Sequence, residues 1–284
     1  MQSSSPYSSW LVASDIDGTL INKKRLLTPE NPAEIKKFTD KGGNFTLASD
    51  RNPELMRDYY KNLPLGGIPA VVMGGAGIYD FKEEKMLSFT ALSEDSVRKT
   101  KKIAEKFPTL DVLIDTKDTL YISGIGYWAH FFIKKSKATY KYFRNIADVP
   151  PENWGKVVFI GAMWRVKQIG KVLRSVSGRE FSVIDSSSVS VQIQAKGANK
   201  GAAVMEIARM LGIEKDHTAA IGDYYNDYKM LSEVEIAGCT ASAPREVKAI
   251  SDYVACHCND GAVADFLRYL TAEIDKENIN NNQI

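Results

Sequence analysis

The feature that most constrains this chain is a pair of aspartates that directly follows a short apolar run. The run Leu11-Val12-Ala13 leads through Ser14 to Asp15 and Asp17, which are one residue apart. Ionised carboxylates at the end of a buried strand are costly unless a cation or several hydrogen bonds compensate them. If that cation is a divalent metal, Asp15 can ligate it and remain a nucleophile, while Asp17 is close enough in sequence to handle a proton. The pair therefore indicates a site that handles phosphate.

The bulk composition is that of a globular protein with small partners. The 284 residues are enough for two modest domains, and 44% hydrophobic with 25% charged residues excludes the disordered and fibrous classes. Lys plus Arg (37) nearly balance Asp plus Glu (35), giving a net charge of +2. A net charge this small does not indicate a basic surface for binding nucleic acid or an anionic membrane. We therefore expect a small molecule as the partner; the oligomeric state is not predicted.

Targeting and cysteine patterns favour a cytoplasmic location. The first nine residues lack a basic region followed by a sustained apolar one, and no apolar stretch is long enough to span a bilayer. Three cysteines, at positions 239, 256 and 258, are too few for a disulfide framework, which fits a reducing compartment. We expect a cytoplasmic protein.

Strands and helices alternate at both ends of the chain. The predicted elements of the first part are strands at 11–16, 44–48 and 70–73 with helices at 32–41 and 53–62. Those of the last part are helices at 200–211, 227–232, 244–250 and 261–270 with strands at 218–221, 234–237 and 253–255. Alternation of this kind predicts a doubly wound, mostly parallel α/β sheet of Rossmann-like type. We expect 1–82 and 194–284 to form one discontinuous catalytic core, with a disordered tail beyond the first turn after Thr271.

The middle of the chain, 83–193, has a different pattern of predicted strands and helices. It contains strand candidates at 111–114, 120–122, 157–160, 181–184 and 189–193, and helix candidates at 93–107 and 166–176, the first with Ser93 as N-cap. This pattern predicts an α+β insert. Ligands of open α/β sheets bind at the carboxyl ends of the strands, so an insert at a strand end would cover the site as a cap.

Four short segments fall at the expected ligand edge of the sheet. They are Asp15-Ile16-Asp17-Gly18-Thr19, Ser49-Asp50-Arg51, Asn199-Lys200-Gly201 and Gly222-Asp223-Tyr224-Tyr225-Asn226-Asp227. Together they offer what phosphoryl transfer from a monoester needs, namely a nucleophile, a proton donor, a hydroxyl and a cation for phosphate, and carboxylates for a metal. A phosphate dianion beside Asp15 would bring about three negative charges together, which one lysine and one Mg²⁺ ion would cancel. One Asp15 oxygen, the Asp17 carbonyl and Asp223 would hold the metal.

The four segments resemble the four motifs of the haloacid dehalogenase superfamily of phosphatases. Their order and the position of the insert are most similar to the Cof-type sugar-phosphatase branch, which has a large cap between the second and third motifs. The resemblance implies that Asp15 becomes an aspartyl-phosphate and that Asp17 is the general acid and then the base. It implies Ser49 and Lys200 as catalytic phosphate binders and Asp223 as the metal ligand. The remaining implied positions are Ile16, Asp50 through its backbone N–H, and Asn226 at the phosphate, with Asp227 as a supporting carboxylate.

Three segments depart from the pattern of that family, one of them being Tyr224-Tyr225, which stands where smaller polar residues are usual. Ser49-Asp50-Arg51 stands where the family usually has Thr-Gly-Arg, which adds a negative charge and a Cβ at position 50. Gly74 stands where the family commonly has Asn, so a side-chain hydrogen bond beside the site is expected to be absent. We expect Arg51 to pair with Asp50 or Glu54 in a structural role. None of these changes removes a catalytic group.

The resemblance implies a magnesium-dependent phosphohydrolase of small phosphorylated metabolites such as sugar phosphates. A phosphomutase is an alternative enzyme, and a catalytically idle phosphometabolite sensor is an alternative from another class. Within the insert, the aromatic residues around 121–132 are expected to pack in its core, since aromatic density usually means burial. Trp128 and His130 are the candidates there for contact with substrate.

Overall fold

The computed structural model describes residues 5–22, 24–123, 126–128 and 139–281, and its elements alternate at both ends of the chain. The strands are β1 Leu11–Ser14, β2 Asn44–Leu47, β3 Ala70–Val72, β4 Gly77–Asp80, β5 Lys85–Phe89, β6 Asp111–Thr116, β7 Leu120–Ser123, β8 Tyr140–Phe143, β9 Trp154–Ile160, β10 Phe181–Ser187, β11 Ser190–Ala195, β12 Thr218–Gly222, β13 Ile236–Thr240 and β14 Tyr253–Ala255. The α-helices are α1 Glu30–Asp40, α2 Pro53–Lys61, α3 Glu94–Ala104, α4 Met163–Ser177, α5 Lys200–Leu211, α6 Tyr228–Glu233, α7 Arg245–Lys248 and α8 Ala262–Asn281. The predicted alternation of strand and helix is confirmed.

A parallel sheet with the order β14-β13-β12-β1-β2 forms the centre of the molecule among the described residues. Strand β1, which lies between β12 and β2, is buried along its whole length, as its apolar run predicts. Ser14 at the end of β1 lies in register with Ile221 of β12 and Leu47 of β2. The carboxyl ends of these three strands therefore meet at one edge, and the predicted parallel core sheet is confirmed.

An antiparallel hairpin extends this sheet in a way that the sequence did not indicate. β3 joins the end of β2 through a single bridge between Ala48 and Val71. β4 then pairs antiparallel with β3, and β5 pairs antiparallel with β4. Only β3 was predicted, because β5 is half exposed and its residues do not alternate cleanly in hydrophobicity. The hairpin connects the core sheet to the insert.

The insert forms a mixed sheet with the order β10-β11-β9-β6-β7-β8, and helices α3 and α4 pack together against one of its faces. We call this sheet and its two helices the cap. Trp154 and Phe159 are fully buried between sheet and helices. Ser93 caps α3, since its hydroxyl accepts the backbone N–H of Ser96 at 3.2 Å. The predicted α+β insert and the predicted start of α3 are confirmed.

Helix α8 corrects the expectation of a disordered tail. It continues to Asn281, well beyond the first turn after Thr271. Ile274 is buried, and Asp275 accepts a hydrogen bond from the hydroxyl of Tyr7 at 2.5 Å. These contacts with the N-terminal segment hold a stretch whose polar composition alone predicted disorder. Although α8 is long, neither it nor any other helix of the described residues is apolar enough over a sufficient length to cross a membrane.

Candidate active site

Three acidic side chains converge where β1 and β12 end. Asp15 directly follows β1 and donates its backbone N–H to the carbonyl of Ile221 at 3.0 Å, which fixes it against β12. Asp223 follows β12, and Asp227 closes the turn after it. Each of the three carboxylates has an oxygen within 4.8 Å of the others. Parallel pairing of two strands distant in sequence thus concentrates negative charge in one small volume.

Lys200 supplies the positive charge that lies among these acids. It is the first residue of α5, and its Nζ lies 2.6 Å from Asp15 Oδ1 and 2.7 Å from Asp227 Oδ1. A cation at a helix N-terminus is disfavoured by the helix dipole, so the two carboxylates must compensate it. Burial alone lowers the pKa of Lys200, but the charges of Asp15 and Asp227 raise it well above its ordinary value. Lys200 is therefore a buried ammonium ion.

Asp227 has both carboxylate oxygens occupied. One accepts from Lys200, and the other accepts the backbone N–H groups of Asp223 and Tyr224 at 2.9 and 3.2 Å. Asp227 therefore fixes the loop that carries Asp223, and its position agrees with a supporting role beside the site.

The remaining acids fit a divalent cation. Burial raises the pKa of Asp223 to about 7, and the charge of Asp227 adds to this effect. Burial likewise raises the pKa of Asp15 well above its ordinary value, although Lys200 opposes the shift. Both pKa shifts arise mainly from burial, and the charge of Lys200 does not fully offset it. Carboxylate oxygens are the donors that Mg²⁺ prefers, so the donor set fits the predicted metal.

Glycine at position 18 is required for the approach of Asp223. Gly18 has φ of 91°, and a Cβ there would lie 2.9 Å from Asp223 Cγ. The Asp223 carboxylate thus lies against the backbone of Gly18, immediately after Asp17. It also accepts a hydrogen bond from the hydroxyl of Thr19 at 3.5 Å. The carboxylate of Asp17 lies outside the acidic group, which leaves its backbone carbonyl as the predicted metal ligand.

The Asp17 carboxylate is held by Arg51 instead. Arg51 Nε and Nη2 each donate to one Asp17 oxygen at 2.7 Å, and its guanidinium stacks over Tyr59 at 4.6 Å. The expectation that Arg51 pairs with Asp50 or Glu54 is therefore wrong. The reason is that β1 and β2 are neighbours, so the loops after them face each other. The pair fixes the orientation of the predicted general acid.

The predicted phosphate binders lie around the end of β2. Ser49 is buried, and its Oγ accepts the backbone N–H of Arg51 at 3.2 Å. Ile16, which lies between Asp15 and Asp17 in the sequence after β1, is buried. The amide of Asn226 donates to Asp50 Oδ2 at 2.6 Å, so Asp50 already accepts one of the amide N–H groups that were predicted to bind phosphate.

A cavity of about 410 Å³ lies between the core and the cap, with Asp17 and Arg51 at one end. Its other walls are mainly apolar side chains of β6, β7 and β9, including Leu113, Leu120 and Val158.

Of the two cap residues predicted to contact substrate, Trp128 lines this cavity and is 37% exposed. His130 lies outside the described residues. Tyr127 is 76% exposed, so the expectation that the aromatic segment packs in the core of the insert is wrong for Tyr127 and Trp128. Their rings contact each other edge to face at 5.7 Å and leave the rest of each ring accessible.

Sequence reasoning missed three polar residues of the cap. Lys156 of β9 is buried, lies 3.3 Å from Asp115 of β6, and donates to the backbone carbonyl of Asp50. Gln192 of β11 donates to the Asp50 carboxylate at 2.9 Å. A lysine among the apolar residues of β9 was the available signal, because an unpaired lysine is rarely buried.

Known proteins are similar to this chain over most of its length. The family model for haloacid dehalogenase-like hydrolases matches residues 12–267. The chain is 24% identical over 260 residues to a 5-amino-6-(5-phospho-D-ribitylamino)uracil phosphatase of Bacillus subtilis, covering 91% of this chain and 94% of the relative.

Solved structures show the same fold. A haloacid dehalogenase-like hydrolase from Bacteroides thetaiotaomicron has a TM-score of 0.81 at 18% identity, covering 92% of this chain and 99% of that one. A structure described as a sugar phosphatase of subclass IIB of the superfamily has a TM-score of 0.80 at 18% identity, with the same coverage. The α/β fold with an inserted cap is confirmed. Since the family model covers most of the sequence, the chain belongs to the haloacid dehalogenase-like hydrolase family, as its four segments predicted.

Proposed function

We propose that this chain is a magnesium-dependent phosphatase that hydrolyses small phosphorylated metabolites through an aspartyl-phosphate on Asp15. The chain is a phosphatase of its family; the metal, the intermediate and the substrate class are the finer proposal. One observation carries it, namely a buried Asp15 carboxylate 2.6 Å from the Lys200 ammonium group, with Asp223 beside them. A nucleophile, a phosphate-binding cation and a metal ligand thus meet at one point.

The first half-reaction transfers the phosphoryl group to the protein. An oxygen of Asp15 attacks phosphorus while the bond from phosphorus to the ester oxygen breaks. Asp17, protonated on one oxygen after that oxygen leaves Arg51 and held by Arg51 through the other, donates its proton to the departing oxygen, so the alcohol leaves uncharged. Lys200 and the Ser49 hydroxyl hold the phosphate oxygens during the transfer.

The second half-reaction restores the carboxylate. Asp17 removes a proton from a water molecule that attacks the aspartyl-phosphate, the bond from Asp15 to phosphorus breaks, and inorganic phosphate leaves. Atoms and charge balance over the cycle, because the proton donated to the alcohol is recovered from water. The same side chain serves twice, which its location at the mouth of the cavity permits.

Charge is the main obstacle to this chemistry. Two unit charges 4 Å apart interact by about 4 kcal/mol at the effective dielectric of a protein surface, so a dianion beside ionised Asp15 is strongly repelled. Lys200 offsets part of that repulsion. Magnesium held by Asp15, Asp223 and the Asp17 carbonyl would supply the remaining positive charge when bound.

The cavity and a structural neighbour support sugar phosphates as substrates. About 410 Å³ accommodates a small metabolite rather than a protein or a nucleic acid. Ser186, Ser190 and Gln192 of the cap line it and can donate hydrogen bonds to hydroxyl groups. The solved structure described as a sugar phosphatase has the same fold.

The test is to screen the purified protein against phosphorylated metabolites with magnesium and to measure free phosphate. We expect release of inorganic phosphate from at least one small sugar phosphate, and no release by Asp15→Asn. Isomerised sugar phosphate without free phosphate would instead identify a phosphomutase. Binding across the panel without turnover would identify a sensor and reject the proposal.

A further inference from the structure

Asp50 is a partly buried carboxylate that the mechanism above does not use. Its Oδ1 accepts from Gln192 Nε2 at 2.9 Å, and its Oδ2 accepts from Asn226 Nδ2 at 2.6 Å. Its backbone carbonyl also accepts the ammonium group of Lys156. Gln192 and Lys156 belong to the cap, and Asn226 belongs to the loop after β12. One residue therefore bonds to the cap and to the core at the same time.

This carboxylate is ionised although much of it is withdrawn from solvent. Burial alone raises its pKa, but the charges of Lys200 and Lys156, with the two amide donors, bring the pKa below its ordinary value. A full negative charge therefore stands within electrostatic range of Lys200, beside the place where phosphate would bind. It opposes retention of a phosphate anion there.

Gly74 provides the space that this carboxylate needs. It follows β3 with φ of 66°, and a Cβ at this position would lie 2.5 Å from Asp50 Oδ1 and 2.9 Å from Gln194 Oε1. A larger residue at 74 would therefore displace the Asp50 carboxylate. The acid at 50 and the missing side chain at 74 are sterically complementary.

We propose that Asp50 is a positioning residue that clamps the cap onto the core, orients the Asn226 amide and promotes release of phosphate, and that it depends on Gly74 for its place. The proposal rests on the proposed phosphatase function, since the groups it orients surround the phosphate site. Opening of the cap would break the bonds of Gln192 and Lys156 to this one residue. When the cap closes, Asp50 therefore regains its bonds to Gln192 and Lys156 and at the same time orients the Asn226 amide.

The first part of the test removes the carboxylate or only its charge. Asp50→Gly should lower kcat about tenfold, because hydrogen bonds to a buried charge are lost. It should also lower the inhibition constant of inorganic phosphate about threefold or more, since a repelling charge is gone. Asp50→Asn keeps the size of the side chain and should show the same tighter inhibition. A purely structural role would weaken phosphate binding together with kcat, and that result would overturn the proposal.

The second part tests the dependence on Gly74. Gly74→Asn alone should lower both kcat and the midpoint of thermal unfolding. Adding Asp50→Gly should recover much of each loss, whereas adding Asp50→Asn should recover neither, because asparagine occupies the same space. Recovery by both second changes, or by neither, would overturn the steric pairing.

A matched control and an independent readout complete the design. Glu54 makes an exposed contact between core and cap, accepting from the Thr139 hydroxyl at 2.7 Å, and Glu54→Ala should leave kcat and phosphate inhibition unchanged. Thermal unfolding of the Gly74 and Asp50 variants needs no activity. If the wild-type protein hydrolyses no phosphate ester, the proposed function fails, while the unfolding midpoints still decide whether positions 50 and 74 are paired.

Discussion

The edge of the parallel sheet and the facing surface of the cap contribute to the same cavity in different ways. At the sheet edge, Asp15 and Asp223 are fixed by the backbone at the ends of neighbouring, fully paired strands. On the cap, Lys156 and Gln192 reach the cavity from the middle of strands, among apolar neighbours. The main chain therefore positions the reacting groups at the sheet edge, whereas the choice of side chains on the cap sheet shapes the space for the substrate. Changes at the edge should therefore affect every substrate, and changes on the cap should distinguish between substrates.

Replacing Asp15 should have the largest effect. Asp15→Asn removes the nucleophile, and we expect hydrolysis of an aryl phosphate to fall on the order of 10³-fold or more. Turnover is measured with magnesium present, together with thermal unfolding to verify the fold. Asp40→Asn, on the exposed face of α1, is the control that should keep its activity. Wild-type turnover by the Asp15 variant would reject the nucleophile.

Removing Lys200 should cost stability as well as activity. Lys200→Met leaves Asp15 and Asp227 buried without their counter-charge, and breaking a buried ion pair in this way costs about 3–5 kcal/mol. Urea unfolding in the absence of magnesium measures the change. Lys36→Met removes an exposed pair with Asp40 and should have little effect. Equal stability of the two variants would contradict the buried charge pairing.

Magnesium should stabilise the folded protein in a manner that depends on pH. Burial raises the pKa of Asp223 to about 7, so the folded state holds a proton that the unfolded chain has lost. Stability of the metal-free protein should therefore fall as pH rises from about 4 to about 7, since the native state binds more protons over that window.

At neutral pH, a magnesium concentration about 100 times the dissociation constant should restore about 2.7 kcal/mol. Calorimetric unfolding with magnesium and with a chelator measures this gain, and Asp223→Asn should reduce it. Undiminished activity in the chelator would reject the metal.

Arg51 should matter most for substrates that need a proton donor. Arg51→Met frees the Asp17 side chain, and we expect kcat/KM for an alkyl phosphate to fall about tenfold, because misplaced catalytic groups lose rate. An aryl phosphate with a good leaving group should be affected less. Arg57→Met, which removes an exposed pair with Glu84, is the control. Equal losses for both kinds of ester would argue against a role through Asp17.

Trp128 should give the smallest and most selective effect. Trp128→Ala removes an aromatic wall of the cavity, and we expect KM to change about fivefold for some phosphate esters and little for others. A panel of esters measured with the variant and with Trp164→Ala, an exposed tryptophan on α4, provides the comparison. A uniform loss of kcat across the panel would show that Trp128 affects every substrate alike, as residues at the sheet edge should, and does not distinguish between substrates.

Much of the core could be predicted because its site residues directly follow short apolar runs, which are easily recognised as buried strands. The apolar runs that precede Asp15 and Asp223 predict buried strands, and pairing of those strands brings the acids together. Lys200 was predicted at the start of a helix, and the structure places it between two carboxylates there. The site residues themselves stay predictions until they are mutated.

The contacts of the cap could not be predicted because they depend on how two sheets meet. Nothing near Gln192 or Lys156 indicates a partner as distant in sequence as Asp50. Arg51 was assigned the wrong partner for a different reason, since its true partner, Asp17, follows the neighbouring strand of the same sheet and is distant in sequence. The helical end of α8 depends on Tyr7 and Asp275, whose contact no local pattern reveals.

The position of β1 between β2 and β12 also sets an order of assembly during synthesis. β2 is made soon after β1, but β12 is made only after the entire cap. Until then, the apolar strand that leads to Asp15 has one unpaired edge, which is a site for wrong pairing or for chaperone binding. The cap, which is continuous in sequence, can complete its own sheet during that interval. The nascent chain can therefore have a folded cap before it has the active site that the cap covers.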